Sequence, residues 1–409
     1  MAVAGLDIDS VRADFPILRR TVRGGKPLAY LDNAASTQKP QTVIDSIVRF
    51  YSERYSNVHR GVHELSELAT CDFEGTRERL MRFVNAASLE EIVFTHGSTE
   101  AVNLVARGMD DQFQAGDEVL LTEMEHHSNI VPWQMLRDRT GAVIRVVPVN
   151  DDGDLMLDRF EELLGPRTRM VVVSHTSNAL GTRNPVERIA EMAHAHGARV
   201  LLDGAQAAAH ERLDVQALGC DFIVISGHKM YGPTGVGALW GRRSELEKIH
   251  PLLGGGDMIE TVTFEKTTYR ELPHRLEAGT PGIAGVIGLG AAIDYLESVG
   301  LERIAAHEAE LLEYGTDLLK QVPGLRLIGT ARHKAAILSF VVKGIHAHDL
   351  GTALDLNGVA VRAGHHCAQP LMARFDVPAT VRASIGMYNS RQDLDRLHEG
   401  LLQAIEVFG

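Results

Sequence analysis

Cysteine is scarce in this chain. Cys71, Cys220 and Cys367 are its three cysteines, no two form a C-x-x-C pair, and any disulfide would leave one over. That scarcity excludes a disulfide-stapled scaffold and suits a reducing cytoplasm, the expected location. Runs of like charge are missing too. The 41 basic residues are scattered among 54 acidic ones, for a net charge of −13, which argues against nucleic acid or an anionic membrane as a partner. The longest mostly apolar stretch, Pro281 to Ile293, is 13 residues and rich in glycine, too short to span a membrane. The opening MAVAGLDIDSVRADF has early acidic residues and no basic segment followed by an apolar one, so no signal peptide is expected. Aromatic residues are few, at 5%, but 44% hydrophobic and 23% charged residues are ordinary for a globular protein.

A chain of 409 residues exceeds the roughly 250–300 residues that one core supports, so two domains are expected. Strand candidates are Glu91 to Thr95, Glu118 to Leu121, Val143 to Val147, Met170 to Ser174, Val200 to Asp203 and Phe222 to Ser226. Helical patterns such as Val186 to Ala195 lie between most of them. This alternation predicts an α/β fold with a mostly parallel sheet wrapped by helices. Residues 250 to 280 are turn-rich; helices follow at Ile283 to Ser298 and Leu301 to Gln321, then strands at Ala336 to Val341 and Val359 to Arg362. The expected division is a large domain over residues 31–280 and a smaller α+β domain from residues 1–30 and 281–409.

The richest segment is SGHKMYGPTG, residues 226 to 235. Lys229 follows an apolar, β-branched strand, at the carboxyl end where α/β folds place ligands. A lone lysine there would be a surface turn residue. With Ser226 and His228 beside it and Gly232, Gly235 and Gly237 after it, it reads as a Schiff-base lysine. Asp203 ends another buried strand, where an unpaired carboxylate is costly. It serves either as a helix N-cap or as the partner of a cation such as a protonated pyridine nitrogen. In His96-Gly97-Ser98-Thr99, hydroxyls open a helix, which forms a phosphate cradle or a plain cap. His126 and His127 are adjacent and point apart on most backbones, so they make a poor metal pair; one could stack on an aromatic cofactor. Asn178 is a strand-end polar residue, either a ligand contact or a turn former. Cys220 and Cys71 read as core fillers. Cys367 lies in the loop RAGHHCAQP, residues 362 to 370, with Arg382 following in VRASIGMYN. Consecutive histidines and one cysteine lack the spacing of a tetrahedral zinc site, so no metal is expected and Cys367 reads as a reactive thiol.

Taken together, SGHKMYGPTG, DGAQ, EHHSN, GSTEAVNLVA, EAGTP and RAGHHCAQPLM resemble the SufS-type cysteine desulfurases of the class V aminotransferase group, which are fold-type I pyridoxal-phosphate enzymes. The resemblance runs from Tyr30-Leu31-Asp32-Asn33-Ala34-Ala35 to the C-terminus. RAGHHCAQP looks like the SufS branch, since the IscS branch carries a longer, serine-rich segment around its cysteine. The resemblance implies that Lys229 carries the cofactor, Asp203 pairs with its pyridinium nitrogen, Gln206 with its ring hydroxyl, and His126 stacks on the ring. Ser98, Thr99, Ser226 and His228 would bind the phosphate, and Thr280 the phosphate of a neighbouring subunit, which implies a homodimer with shared sites. Asn178, Arg382 and Arg362 would hold the substrate carboxylate, and Cys367 would accept sulfur.

The implied activity is conversion of L-cysteine to L-alanine with a persulfide on Cys367, His126 moving a proton at the substrate thiol. Sulfur would pass to a SufE-like or SufU-like acceptor for iron-sulfur cluster assembly, with His348 placed to meet the zinc of a SufU-like partner. Selenocysteine lyase and a non-catalytic sulfur-relay scaffold are the alternatives; lyase activity retained without Cys367 would mark the first, and absence of bound cofactor the second.

Overall fold

Short runs rich in Val, Ile and Leu form the central sheet of the computed structural model, which describes residues 5–408. Its strands are β1 (Ile92–Thr95), β2 (Glu118–Thr122), β3 (Val143–Val147), β4 (Thr168–Ser174), β5 (Arg199–Asp203), β6 (Phe222–Ser226) and β7 (Gly237–Gly241). They lie in the order β1-β7-β6-β5-β4-β2-β3. All neighbours are parallel except β7, which runs antiparallel to both β1 and β6. Central strands are buried almost throughout, as continuous apolar runs require, whereas β3 at the edge is largely exposed. β7 is the one strand of this sheet absent from the sequence candidates: its GALWG run is framed by glycines that read as turn.

Helices cover both faces. In the order needed here they are α1 (Gln41–Arg49), α2 (Glu64–Phe83), α3 (Ser98–Gly108), α4 (Val131–Thr140), α5 (Val186–Ala195) and α6 (Ile283–Val299). One core joins the outer faces of β4 and β5 to α2, α5 and α6 through Phe73, Leu80, Val171, Leu202, Ile189 and Leu289. α6, just past the turn-rich segment, thus buries its apolar side with the large sheet. The opposite face packs Val102, Val105, Trp133 and Leu136 of α3 and α4 against Val119, Leu121 and Leu201. Residues 250 to 280, expected as turns, hold an antiparallel hairpin, β8 (Ile259–Val262) with β9 (Thr267–Tyr269), whose tip leaves Phe264 fully exposed.

α7 (Leu301–Lys320) leaves α6 at 74°, and among the described residues no single helix is long and apolar enough to cross a membrane. Beyond it a second, antiparallel sheet has the order β10-β11-β13-β12, made of β10 (Leu325–Ile328), β11 (Ile337–Val342), β12 (Arg362–Gly364) and β13 (Thr380–Ser384). α7, α8 (Ala347–Leu356) and α10 (Arg391–Phe408) cover it, burying Leu311, Leu350, Leu354, Leu394 and Leu397; α9 (Gln369–Arg374) instead sends Leu371 and Met372 into the large core. The single strand expected over Val359 to Arg362 divides in two: Val359–Ala360 pairs parallel with Ala29–Tyr30, while Arg362 begins β12. Ala29 and Leu31 therefore belong to this smaller core.

Candidate functional site

Parallel strands aligned in one direction bring their carboxyl ends to one edge, and here that edge carries the polar segments singled out above. Ser98, Thr99, His126, Asn178, Ser226, His228 and Lys229 reach a cavity of about 660 Å³ from this edge. Arg362, Cys367 and Arg382 close it from the second sheet. Such a volume accommodates a small ligand.

The cradle at the start of α3 depends on close main-chain approach. Gly237 in β7 lies opposite both Thr95 of β1 and Ser226 of β6. A Cβ there would fall 2.4 Å from the Ile225 carbonyl oxygen and 2.6 Å from Gly97 Cα, so glycine lets the two strand ends converge. Gly97 then turns into the helix at φ 144°. Ser98 N donates to Ser226 Oγ at 3.1 Å, and the two hydroxyls lie 2.8 Å apart. The hydroxyls and the free amides of the first helical turn face the cavity and suit a phosphate group. The His228 side chain joins them, held well below an ordinary histidine, at about 4, by burial and by Lys229 and Lys39. Its carbonyl is fastened by Ser36 Oγ, Thr37 Oγ1 and Lys39 Nζ.

Lys229 sits in the single turn after β6, enclosed by protein, its remaining exposure directed to the cavity. Burial lowers its pKa, opposed by Asp203. Asp203 ends β5; Oδ1 accepts from Ala205 N at 2.9 Å and Oδ2 from Asn129 Nδ2 at 3.0 Å. It forms no salt bridge among the described residues. Asn129 Nδ2 also donates to Glu125 Oε2 at 2.8 Å. Glu125 is wholly buried, so its pKa is raised, against hydrogen bonds from Thr122, Ser174 and Asn129. One amide thus bridges two buried carboxylates and fixes the Asp203 carboxyl. Asp203, Gln206, His126 and Lys229 line a small hollow adjoining the main cavity. Gln206 Nε2 donates to the Ala34 carbonyl at 2.7 Å.

His126 accepts from Ser128 N at Nδ1 (3.1 Å), which puts the proton of its neutral ring on Nε2. Burial, aided by Lys229 and opposed by Asp203, lowers its pKa to about 4.

The second sheet contributes a thiol and two guanidinium groups. Arg382 in β13 is 1% exposed. It donates through NH1 to the Asn178 carbonyl at 2.8 Å and through NH2 to Asp32 Oδ1 at 3.2 Å, while its buried Nε has no partner. Burial pulls it down to about 10, with Asp32 opposing. Arg362 stands directly across the strand pair from it. Two like charges facing one another across strands repel, and Asp32 offsets only one, so the wall attracts an anion. Cys367 follows β12 in an exposed loop where His366 and Cys367 have φ of 53° and 56°. Asn178 Nδ2 donates to the His366 carbonyl at 2.6 Å and His127 N to the Cys367 carbonyl at 2.7 Å.

Thus the sequence candidates converge on the cavity and its adjoining hollow, with one exception. Thr280 lines a neighbouring hollow with Gly279, Pro281, His96 and Glu100 instead of the main cavity. The sequence assigns no role to Glu125, Asn129 or Asp32, and does not separate His127 from His126. Glu125 and Asn129 had the same signal as Asp203, polar groups at the end of a buried strand, and Asp32 lies within the quoted YLDNAA motif.

The model of the class-V aminotransferase family matches residues 29–397. A cysteine desulfurase of Synechococcus elongatus is 54% identical over 96% of this chain, and one of Klebsiella pneumoniae is 51% identical over 98%. The chain spans 57% to 64% of the length of three of the curated relatives it matches, but 99% of the Klebsiella protein. Among solved structures, a cysteine desulfurase of Escherichia coli superposes with a TM-score of 0.92 at 38% identity, covering 99% of this chain and 100% of that one.

Proposed function

Since the chain belongs to the class-V aminotransferase family, among its cysteine desulfurases, we propose that it removes sulfur from L-cysteine with the help of pyridoxal phosphate, leaving L-alanine and a persulfide on Cys367. The observation that carries this reading is the meeting of Lys229, Arg382 and Cys367 on one cavity. The donor set fits the cofactor: hydroxyls and helix amides for its phosphate, a buried carboxylate without a salt bridge for its ring nitrogen, and an enclosed amine for covalent attachment. Ser98, Thr99, Ser226 and His228 would hold the phosphate, Asp203 and Gln206 the ring, and His126 its face.

Bound there, pyridoxal phosphate supplies an electron sink for charge developing at the substrate α-carbon. Arg382 lines the cavity, and the terminal N–H groups not given to Asn178 and Asp32 offer the substrate carboxylate a pair of donors. Arg362 adds charge and Asn178 closes the same wall. Lys229 Nζ, its basicity lowered by burial, takes the proton from the α-carbon. Cys367 Sγ, as thiolate, bonds to the substrate sulfur as the substrate Cβ–S bond breaks. The electron pair of that bond stays with the carbon fragment, protonation of Cβ and return of the proton to Cα from Lys229 complete alanine, and no outside oxidant or reductant is needed. Neutral His126, carrying its proton on Nε2, presents a donor at the wall where the substrate sulfur arrives.

A homodimer is supported by the hollow around Thr280, which borders the main cavity through His96, Glu100, Leu252 and Leu253. Delivery of sulfur to a SufU-like or SufE-like acceptor, and on to iron-sulfur clusters, is supported by the exposed Cys367 loop and by exposed His348 in the first turn of α8. The test is to incubate purified protein with L-cysteine, quantify alanine, and search for a persulfide by mass spectrometry. The wild type should carry 32 Da, about one sulfur, on the Cys367 peptide. Cys367→Ala should lose both persulfide and alanine while keeping the absorption of bound cofactor. Full alanine production by that variant would defeat the reading.

A further inference from the structure

The loop bearing the thiol closes one turn of its own, Ala368 N donating to the His365 carbonyl at 2.9 Å, and takes the rest of its support from outside. His366 and Cys367 are consecutive non-glycine residues in the left-handed region, a conformation that side chains rarely adopt. The ends of the loop are anchored, by β12 on one side and by buried Ala368 and Leu371 on the other. Where the thiol points is therefore decided by the peptide units between residues 366 and 369. Asn178 holds the first of these from the buried side. His127 holds the other two. Its main-chain N–H donates to the Cys367 carbonyl at 2.7 Å, and its Nε2 accepts from Gln369 N at 3.1 Å.

We propose that His127 is the positioning residue of Cys367, its side chain and its own amide clamping the two peptide units that follow the thiol. A main-chain amide can only donate, so Nε2 must be the acceptor and the neutral His127 ring carries its proton on Nδ1. That is the opposite tautomer from His126, whose Nδ1 accepts from Ser128 N. The adjacent pair divides its work accordingly: His126 faces the cavity, and His127 turns outward to the loop. Burial and nearby His365 keep His127 below an ordinary histidine pKa, favouring the acceptor form.

The inference rests on Cys367 being the sulfur acceptor, and its test separates the two. His127→Ala deletes the side-chain acceptor but keeps the main-chain donor; His127→Gln restores an acceptor oxygen at the same reach. In holoenzyme, hydrogen exchange at the Gln369 amide should quicken about fivefold in His127→Ala, the worth of one ordinary hydrogen bond. Single-turnover persulfide formation on Cys367 should fall about tenfold or more, with the KM for cysteine and the cofactor absorption unchanged. His127→Gln should recover both rates. Unchanged persulfide formation in His127→Ala, or a loss that Gln fails to rescue, would overturn the proposal. Should His127→Ala fail to fold, His127→Phe, which keeps a ring without an acceptor, takes its place. Failure of the acceptor reading would show elsewhere, as sulfur transfer retained by Cys367→Ala.

Discussion

Replacing Arg382 by lysine separates its charge from its geometry. Of the five guanidinium N–H groups, one goes to the Asn178 carbonyl and one to Asp32, while buried Nε–H meets nothing within the protein. In the proposed reading the substrate carboxylate takes the terminal N–H groups left free by Asn178 and Asp32. Lysine keeps the positive charge but has no planar fork, and it cannot serve Asn178, Asp32 and a bidentate ligand together. The loss is one charge-assisted hydrogen bond, about 1.5–3 kcal/mol, or about tenfold to 150-fold at about 1.4 kcal/mol per decade. A carboxylate contact is the same in ground and transition states, so the loss should fall on KM with kcat largely kept. Steady-state alanine formation over a cysteine series measures it. Cysteamine, which lacks the carboxylate, should perturb the cofactor absorption of both proteins at the same concentration. A KM within about twofold of wild type, in a variant with unchanged thermal stability, would refute the assignment of Arg382 to the carboxylate.

Two further outcomes concern the scaffold. Burial holds His366 at about 3, with Arg382 adding to the effect, so the unfolded chain takes up a proton near pH 6.5 that the folded protein refuses, and stability falls as pH drops below that value. From pH 7 to pH 5 this group alone should cost about 2 kcal/mol, and urea melts of His366→Asn should show a pH dependence flatter by that amount; an equal dependence would contradict the neutral, buried assignment. Gly237→Ala puts a methyl group against the Ile225 carbonyl and Gly97 Cα, both main-chain atoms that cannot swing aside. It should destabilise by about 1–3 kcal/mol and weaken cofactor retention in dialysis, because the α3 cradle is displaced; full retention would mean that the close approach is not needed.

Much of this architecture was legible because buried parallel strands announce themselves as apolar runs that end in polar residues. Val143 to Val147 and Phe222 to Ser226 have the expected bounds, Asp203 and Ser226 are the last residues of their strands, and Asn178 lies in the turn after β4. What escaped depended on partners distant in sequence. β7 is a strand because Gly237 fits between Ser226 and Gly97, information that a run of glycines does not display. Val359 to Arg362 divides because Ala29–Tyr30, over 300 residues earlier, competes for its first half. Nothing in the sequence joins Glu125 to Asp203, a link that Asn129 makes in space. His127 was hidden by its neighbour: nothing in a His-His pair tells which ring turns inward.

Asn178 binds two things at once. Its side chain holds the peptide preceding Cys367 and its own carbonyl holds Arg382. In the proposed reading, the place where a substrate's carboxylate is gripped and the place where its sulfur is met are therefore gauged from a single residue in the turn after β4. Such a gauge measures chain length. On that reading, an amino acid with one more methylene between α-carbon and sulfur, held at the same carboxylate, should carry its sulfur past the thiol, so that the wall of the cavity would discriminate against longer thiols without a separate pocket.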